Sequence, residues 1–154
     1  MKFRILLQDS EKKILFDPEQ ALSFEGETGP YLQYTYARIS SIVRKFHEIH
    51  SEVQISPETI DYTLLDTPED KQLLLQLSCF SEEIQKAAQT YKSNYVARYC
   101  LNIAQLFNSY YHHHKIMDEH NKHLTQARLA LIQGVQQVLV NGFALLGIEK
   151  VENM

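Results

Sequence analysis

From Leu129 to Leu146 the chain is apolar nearly all the way round a helical wheel. A helix with no polar face has to be covered by other elements, so this stretch belongs at the centre of a bundle. It opens at about Asn121, and Gly147 ends it, glycine being the residue that accepts a left-handed cap. Asn141-Gly142 sits badly inside a helix by propensity, so Gly142 is read as a point where another helix comes close. Arg128 falls within the apolar arc. A buried guanidinium has to be paired, which predicts an internal salt bridge or a clamp on a carbonyl and keeps Arg128 out of any ligand site.

The remaining chain supplies covering helices. Pro30 has no backbone N–H and fits the first turn of a helix, with Thr28 or Gly29 as cap. Beyond it, Leu32, Tyr36, Ile39, Val43 and Phe46 fall in one arc roughly 80° wide, a core-facing stripe. Residues 49 to 68 read as a polar connection, partly helical between Pro57 and Pro68. Thr67-Pro68-Glu69-Asp70 starts the next helix by cap, first-turn proline and first-turn acids. That helix is predicted to run to about Tyr91, with Leu73, Leu77, Phe80, Ile84, Ala87, Ala88 and Tyr91 on one arc. Ser93-Asn94 caps another, ending near His113. At the start, Phe3-Arg4-Ile5-Leu6-Leu7 and Ile14-Leu15-Phe16 suggest a hairpin, followed by a short helix from Asp17-Pro18 to about Ser23. The fold class expected is all-α, an antiparallel helix bundle.

At 154 residues the chain is one domain with room for a real core. No run approaches the roughly 18 apolar residues needed to span a bilayer, and the start lacks a signal-peptide pattern. Cys79 and Cys100 sit in apolar helical patterns and read as reduced core thiols, so the expected location is cytoplasmic. A net charge of −4 argues against indiscriminate nucleic-acid binding, but the charge is segregated. Residues 84 to 148 hold six cations (Lys86, Lys92, Arg98, Lys115, Lys122, Arg128) against two acids (Asp118, Glu119). The acids gather at residues 9 to 27 and 48 to 83.

Which side chains could carry chemistry? Tyr31, Tyr34, Arg38, Ile42 and Lys45 form a second narrow arc on the helix after Pro30, about 130° from its core stripe. Two readings are open. The tyrosines could pack against a neighbouring helix, or the phenols and cations could receive a single strand of nucleic acid by stacking and phosphate pairing. His112-His113-His114 invites a metal reading, but consecutive helical residues point about 100° apart, and no carboxylate or cysteine completes a set with His120 and His123. A solvated, partly cationic helix end is the expectation. No Gly-rich phosphate loop, no G-x-S-x-G and no paired Cys and His is visible.

Phe24 to Arg38 with Ser41-Ile42 resembles the segment that opens the C-terminal helical domain of arginyl-tRNA synthetases. Tyr99 to Tyr111 (YCLNIAQLFNSYY) resembles its middle helix. Ala127 to Leu131, Val138 to Phe143, Leu145 to Ile148 and Val151-Glu152-Asn153-Met154 resemble its closing helix and tail. The resemblance implies an anticodon-binding domain over residues 18–154, with 1–17 a linker from a catalytic domain and Met1 a start codon placed on a fragment. The ATP-holding signatures HIGH and KMSKS are missing, so this chain is not expected to activate an amino acid, and ATP and Mg would belong to that catalytic domain. Implied partners are the anticodon loop of arginine tRNA and the parent's catalytic domain, with no membrane; the chain is expected to be a monomer. Carried over by position, the implied tRNA-binding residues are Tyr31, Tyr34 and Arg38 of the PYxQYxxxR segment, Tyr111 for stacking a splayed base, and Met154 with its carboxylate. The family reads chiefly the central cytosine of the anticodon. Asn153 stands where that family often has arginine, and the histidine triplet is not among its features. A helical protein–protein interaction module is the rival reading.

Overall fold

The computed structural model describes residues 2–9, 17, 19, 22–23, 26–50 and 56–152. Among them the regular structure is entirely helical: α1 (Lys2–Leu7), α2 (Gly29–Ile49), a 3-10 turn (Tyr62–Leu64), α3 (Pro68–Ser78), α4 (Phe80–Thr90), α5 (Asn94–His113) and α6 (Lys122–Leu146). Three helix starts follow their local chemistry, whereas the cap expected from Ser93-Asn94 does not form: Ser93 is itself in the helical region and makes no side-chain cap bond. The Thr28 hydroxyl accepts the Tyr31 N–H with Pro30 in the first turn. Thr67 and Asp70 form a reciprocal capping box, and Asn121 accepts the Leu124 N–H. Gly147 closes α6 in the left-handed region, φ +62°.

α6 packs on α5, α2 and α3, and its Leu129, Ile132, Val135 and Leu139 are fully buried. Cross-helix contacts fix the directions. Tyr36 meets Phe143 while Gln136 bonds Ser40, so α2 and α6 run antiparallel. Tyr110 bonds Asp70 while Tyr99 bonds the Gln76 carbonyl, so α3 and α5 do too. Arg128 lies by Lys115 and Gly142 by Cys100, giving the same sense for α5 and α6. At Gly142 an added Cβ would collide with Cys100 Sγ, so the close approach read from the sequence is real.

Several expectations need correcting. Contrary to the expectation that no run approaches the length of a bilayer span, α6 is 25 residues long and apolar enough, by length and composition, to cross one. Much of it is instead covered by the other helices, as the core helix of a bundle is. The first apolar run is helix and not a hairpin strand: Phe3 and Leu7 bury together at i, i+4 spacing while Ile5, between them, is exposed. The second run, and Pro18, Gln20 and Ala21 of the segment from Asp17 to Ser23, lie outside the described residues. The helix from Pro68 does not continue straight to Tyr91. Ser78 Oγ donates to the Leu75 carbonyl, Cys79 takes ψ −7°, and the axis restarts as α4. Tyr91 then caps α4 at φ +55° and is 96 % exposed, while Ala88 is exposed, so neither joins the buried stripe.

Both cysteines are free thiols; Cys100 is buried and Cys79 partly so. Burial pushes the Cys100 thiol up to about 12. The phenols of Tyr99 and Tyr110 are also pushed well up, by burial first; for Tyr110 the hydrogen bond to Asp70 adds to it.

Candidate nucleic-acid interface

α2 and α5 cross so that Tyr31, Tyr34 and Arg38 of one meet Asn108 and Tyr111 of the other. Arg38 and Tyr34 are i, i+4 neighbours, which puts the guanidinium carbon 4.6 Å from the Tyr34 ring centroid and lets Nη2 donate to the phenol oxygen at 3.0 Å. From the other side the Tyr111 ring centroid stands 5.3 Å from the same carbon. A guanidinium between two aromatic faces is held by the ring quadrupoles. Tyr34 and Tyr111 are each 39 % exposed, so both rings keep surface open to a ligand. Behind Tyr111, the buried Phe107 ring lies stacked at 6.0 Å, one turn earlier on α5.

Asn108 organises the cluster. Its Oδ1 accepts from Arg38 Nη1 at 2.7 Å, and its Nδ2 donates to Tyr31 Oη at 2.9 Å and to Thr35 Oγ1 at 2.8 Å. The amide orientation follows from its neighbours. Thr35 spends its hydroxyl proton on the Tyr31 carbonyl, so its oxygen is left to accept, and the guanidinium can only donate. Arg38 therefore spends two N–H groups inside the protein and retains others for a phosphate or base edge.

All four helical residues implied by the resemblance are thus brought to one place, and Met154 lies outside the described residues. The second arc on α2 divides between its two readings. Tyr31 is half-buried with its hydroxyl tied to Asn108, and Ile42 is buried, so both pack on a neighbouring helix. Tyr34, Arg38 and Lys45 form the open edge. Toward the chain's end, Gln33 Nε2 bonds the Glu149 carbonyl at 2.8 Å and fixes the tail along α2. Asn108 was missed by sequence reasoning. The available signal was an amide one turn before Tyr111 on a helix that needs apolar residues.

The histidine expectation holds only in part. His112 and His113 are exposed, but His114 is not a solvated end. Its ring stacks on Tyr110 at 4.6 Å, with Nε2 3.5 Å from Glu69 Oε2 and Nδ1 3.4 Å from Arg128 Nη2. Arg128 clamps the Lys115 carbonyl at 2.9 Å, as its place in an apolar arc required. No group of three metal-ligating side chains occurs among the described residues.

A family model described as the DALR anticodon binding domain matches residues 32–154. The chain belongs to the DALR anticodon binding domain family. Among relatives, an arginine–tRNA ligase of Clostridium kluyveri is 41 % identical over 152 residues and one of Clostridium botulinum 39 % identical over 152 residues. In both cases the match takes in 99 % of this chain and 26 % of the relative, so this DALR chain spans about a quarter of their length. The arginyl-tRNA synthetase of Thermus thermophilus superposes with a TM-score of 0.83 at 33 % identity, over 99 % of this chain and 26 % of that one. The Plasmodium falciparum enzyme gives 0.84 at 24 % identity, with the same two shares, and speaks for the fold alone.

Proposed function

We propose that this DALR domain binds the anticodon loop of arginine tRNA, as the RNA-reading part of an ATP-dependent arginine–tRNA ligase. The observation that carries the reading is Arg38 held between the half-open rings of Tyr34 and Tyr111. An unpaired base stacks on a phenol, the spare guanidinium N–H groups take a phosphate or a base edge, and Asn108 keeps both in place before the RNA arrives. Tyr31 supports Asn108 through its hydroxyl, and the resemblance adds Met154 to the same site. Amino-acid activation, with ATP and Mg, belongs to a catalytic domain of the same ligase, which this domain would contact in the cytoplasm. The domain acts as a monomer.

Fluorescence anisotropy with a labelled arginine anticodon hairpin tests this. The parent chain should bind in a salt-sensitive way and discriminate against a hairpin whose central cytosine is replaced. Tyr34→Ala and Tyr111→Ala should each weaken binding by the worth of one stacked base, about 1–3 kcal/mol, with helicity intact. Indifference to the central base, together with equal binding by both variants, would remove the site.

A further inference from the structure

Beside Tyr111, and one turn along α2 from Arg38, the surface opens into a cavity of about 330 Å³ lined by Ile42, Tyr111, His112, His114, Lys115, Ile116 and Met117. Its floor is apolar and built, since Ile42 and Ile116 are 8 % and 4 % exposed. Its rim is cationic and donor-rich: Lys115 and His112 are exposed, and neither side chain has a partner among the described residues. His114 is not available for binding, being engaged by Tyr110, Glu69 and Arg128. We propose that this cavity is a second nucleotide subsite, seating the residue next to the base stacked at Tyr34 and Tyr111.

The proposal rests on the RNA-binding reading above and deepens it. Tyr111 is shared, one wall of the cavity and one face of the Arg38 cluster, so a strand leaving the cluster past Tyr111 enters the cavity directly. The floor suits the flat face of a base. The rim suits its phosphate, with the Lys115 ammonium as charge and the His112 ring as N–H donor in either protonation state. Beyond Met117 the next hollow sets the carboxylates of Asp118 and Glu119 against the single ammonium of Lys122, so it favours a phosphate less than the Lys115 and His112 rim does.

Anticodon hairpins carrying a single uncharged methylphosphonate at each loop linkage in turn, assayed by anisotropy against the parent, Lys115→Gln and His112→Gln, test this. At one linkage beside the central base, the neutral group should weaken the parent about threefold to tenfold and leave Lys115→Gln unaffected, since both changes remove one contact. Lys115→Gln should also flatten the dependence of log affinity on log salt by about 0.7, one single-strand phosphate's worth. Lys71→Gln, a surface cation on α3 paired with Asp66, serves as the control and should change neither. His112→Gln reports on the same linkage should Lys115→Gln fold poorly. If the methylphosphonate effects add to Lys115→Gln at every linkage and its salt slope equals the parent's, the second subsite is wrong while Tyr34 and Tyr111 stand. If the parent does not bind the hairpin at all, both readings fall together.

Discussion

Replacing Asn108 by alanine removes three hydrogen bonds at one point where α2 crosses α5. Two are neutral and worth about 0.5–1.5 kcal/mol each, and the one to the guanidinium up to about 3 kcal/mol when dry. The site is only half-buried, so water can replace part of the loss, and the expected cost is about 2 kcal/mol. For a domain of this size that lowers the melting temperature by about 4–8 °C. Binding should suffer as well. Arg38 loses its anchor while its ring contacts persist, so RNA has to immobilise a rotamer-rich side chain, at about 0.5–1.5 kcal/mol, or about twofold to thirteenfold in affinity. Urea unfolding followed by circular dichroism measures the first effect and hairpin anisotropy the second. Asn102→Ala, on the exposed face of the same helix, should do neither. A folded Asn108→Ala variant with the parent's affinity would refute the idea that Asn108 holds Arg38 ready.

Other consequences follow from the core. Gly142→Ala should destabilise by about 1–3 kcal/mol through overpacking against Cys100, and Cys100→Ala should recover much of that in the double variant. A thiol reagent at pH 8 should label Cys79 in the native protein and reach Cys100 only on unfolding. The raised thiol also sets a sign for alkaline stability. The unfolded Cys100 ionises near 9 while the folded one holds its proton to about 12, so stability should be full below pH 9 and fall as pH rises toward 12. Tyr99 and Tyr110, both raised, act in the same direction above pH 10.

How much of this was legible in the chain depended on whether the signal was local. The starts of α2 and α3 could be read because Thr28, Pro30, Thr67 and Asp70 act on their own backbone. The central role of α6 could be read because most of its circumference is apolar, with Gln137 and Asn141 left on an exposed strip. The break at Cys79 could not, since the apolar arc continues through it with no sign of interruption. α1 was misread because Phe3 and Leu7 satisfy a strand's alternation and a helix's i, i+4 pair equally well. In the site, spacing along α2 grouped Tyr31, Tyr34 and Arg38, whereas the likeness to known synthetases was needed to add Tyr111 from another helix. Asn108 and His114 stayed invisible because their partners, Arg38 and Glu69, lie far away in sequence.

The claim everything leans on is that RNA lands where α2 crosses α5. Amide chemical-shift mapping of the isotopically labelled domain during titration with the arginine anticodon hairpin reads that location residue by residue. The account predicts that the largest shifts fall on Tyr34, Arg38, Asn108, Tyr111 and the turn through Lys115, and that they vanish when the central cytosine is replaced. Shifts centred instead on the outer surfaces of α3 and α4, with the α2–α5 crossing unmoved, would contradict it.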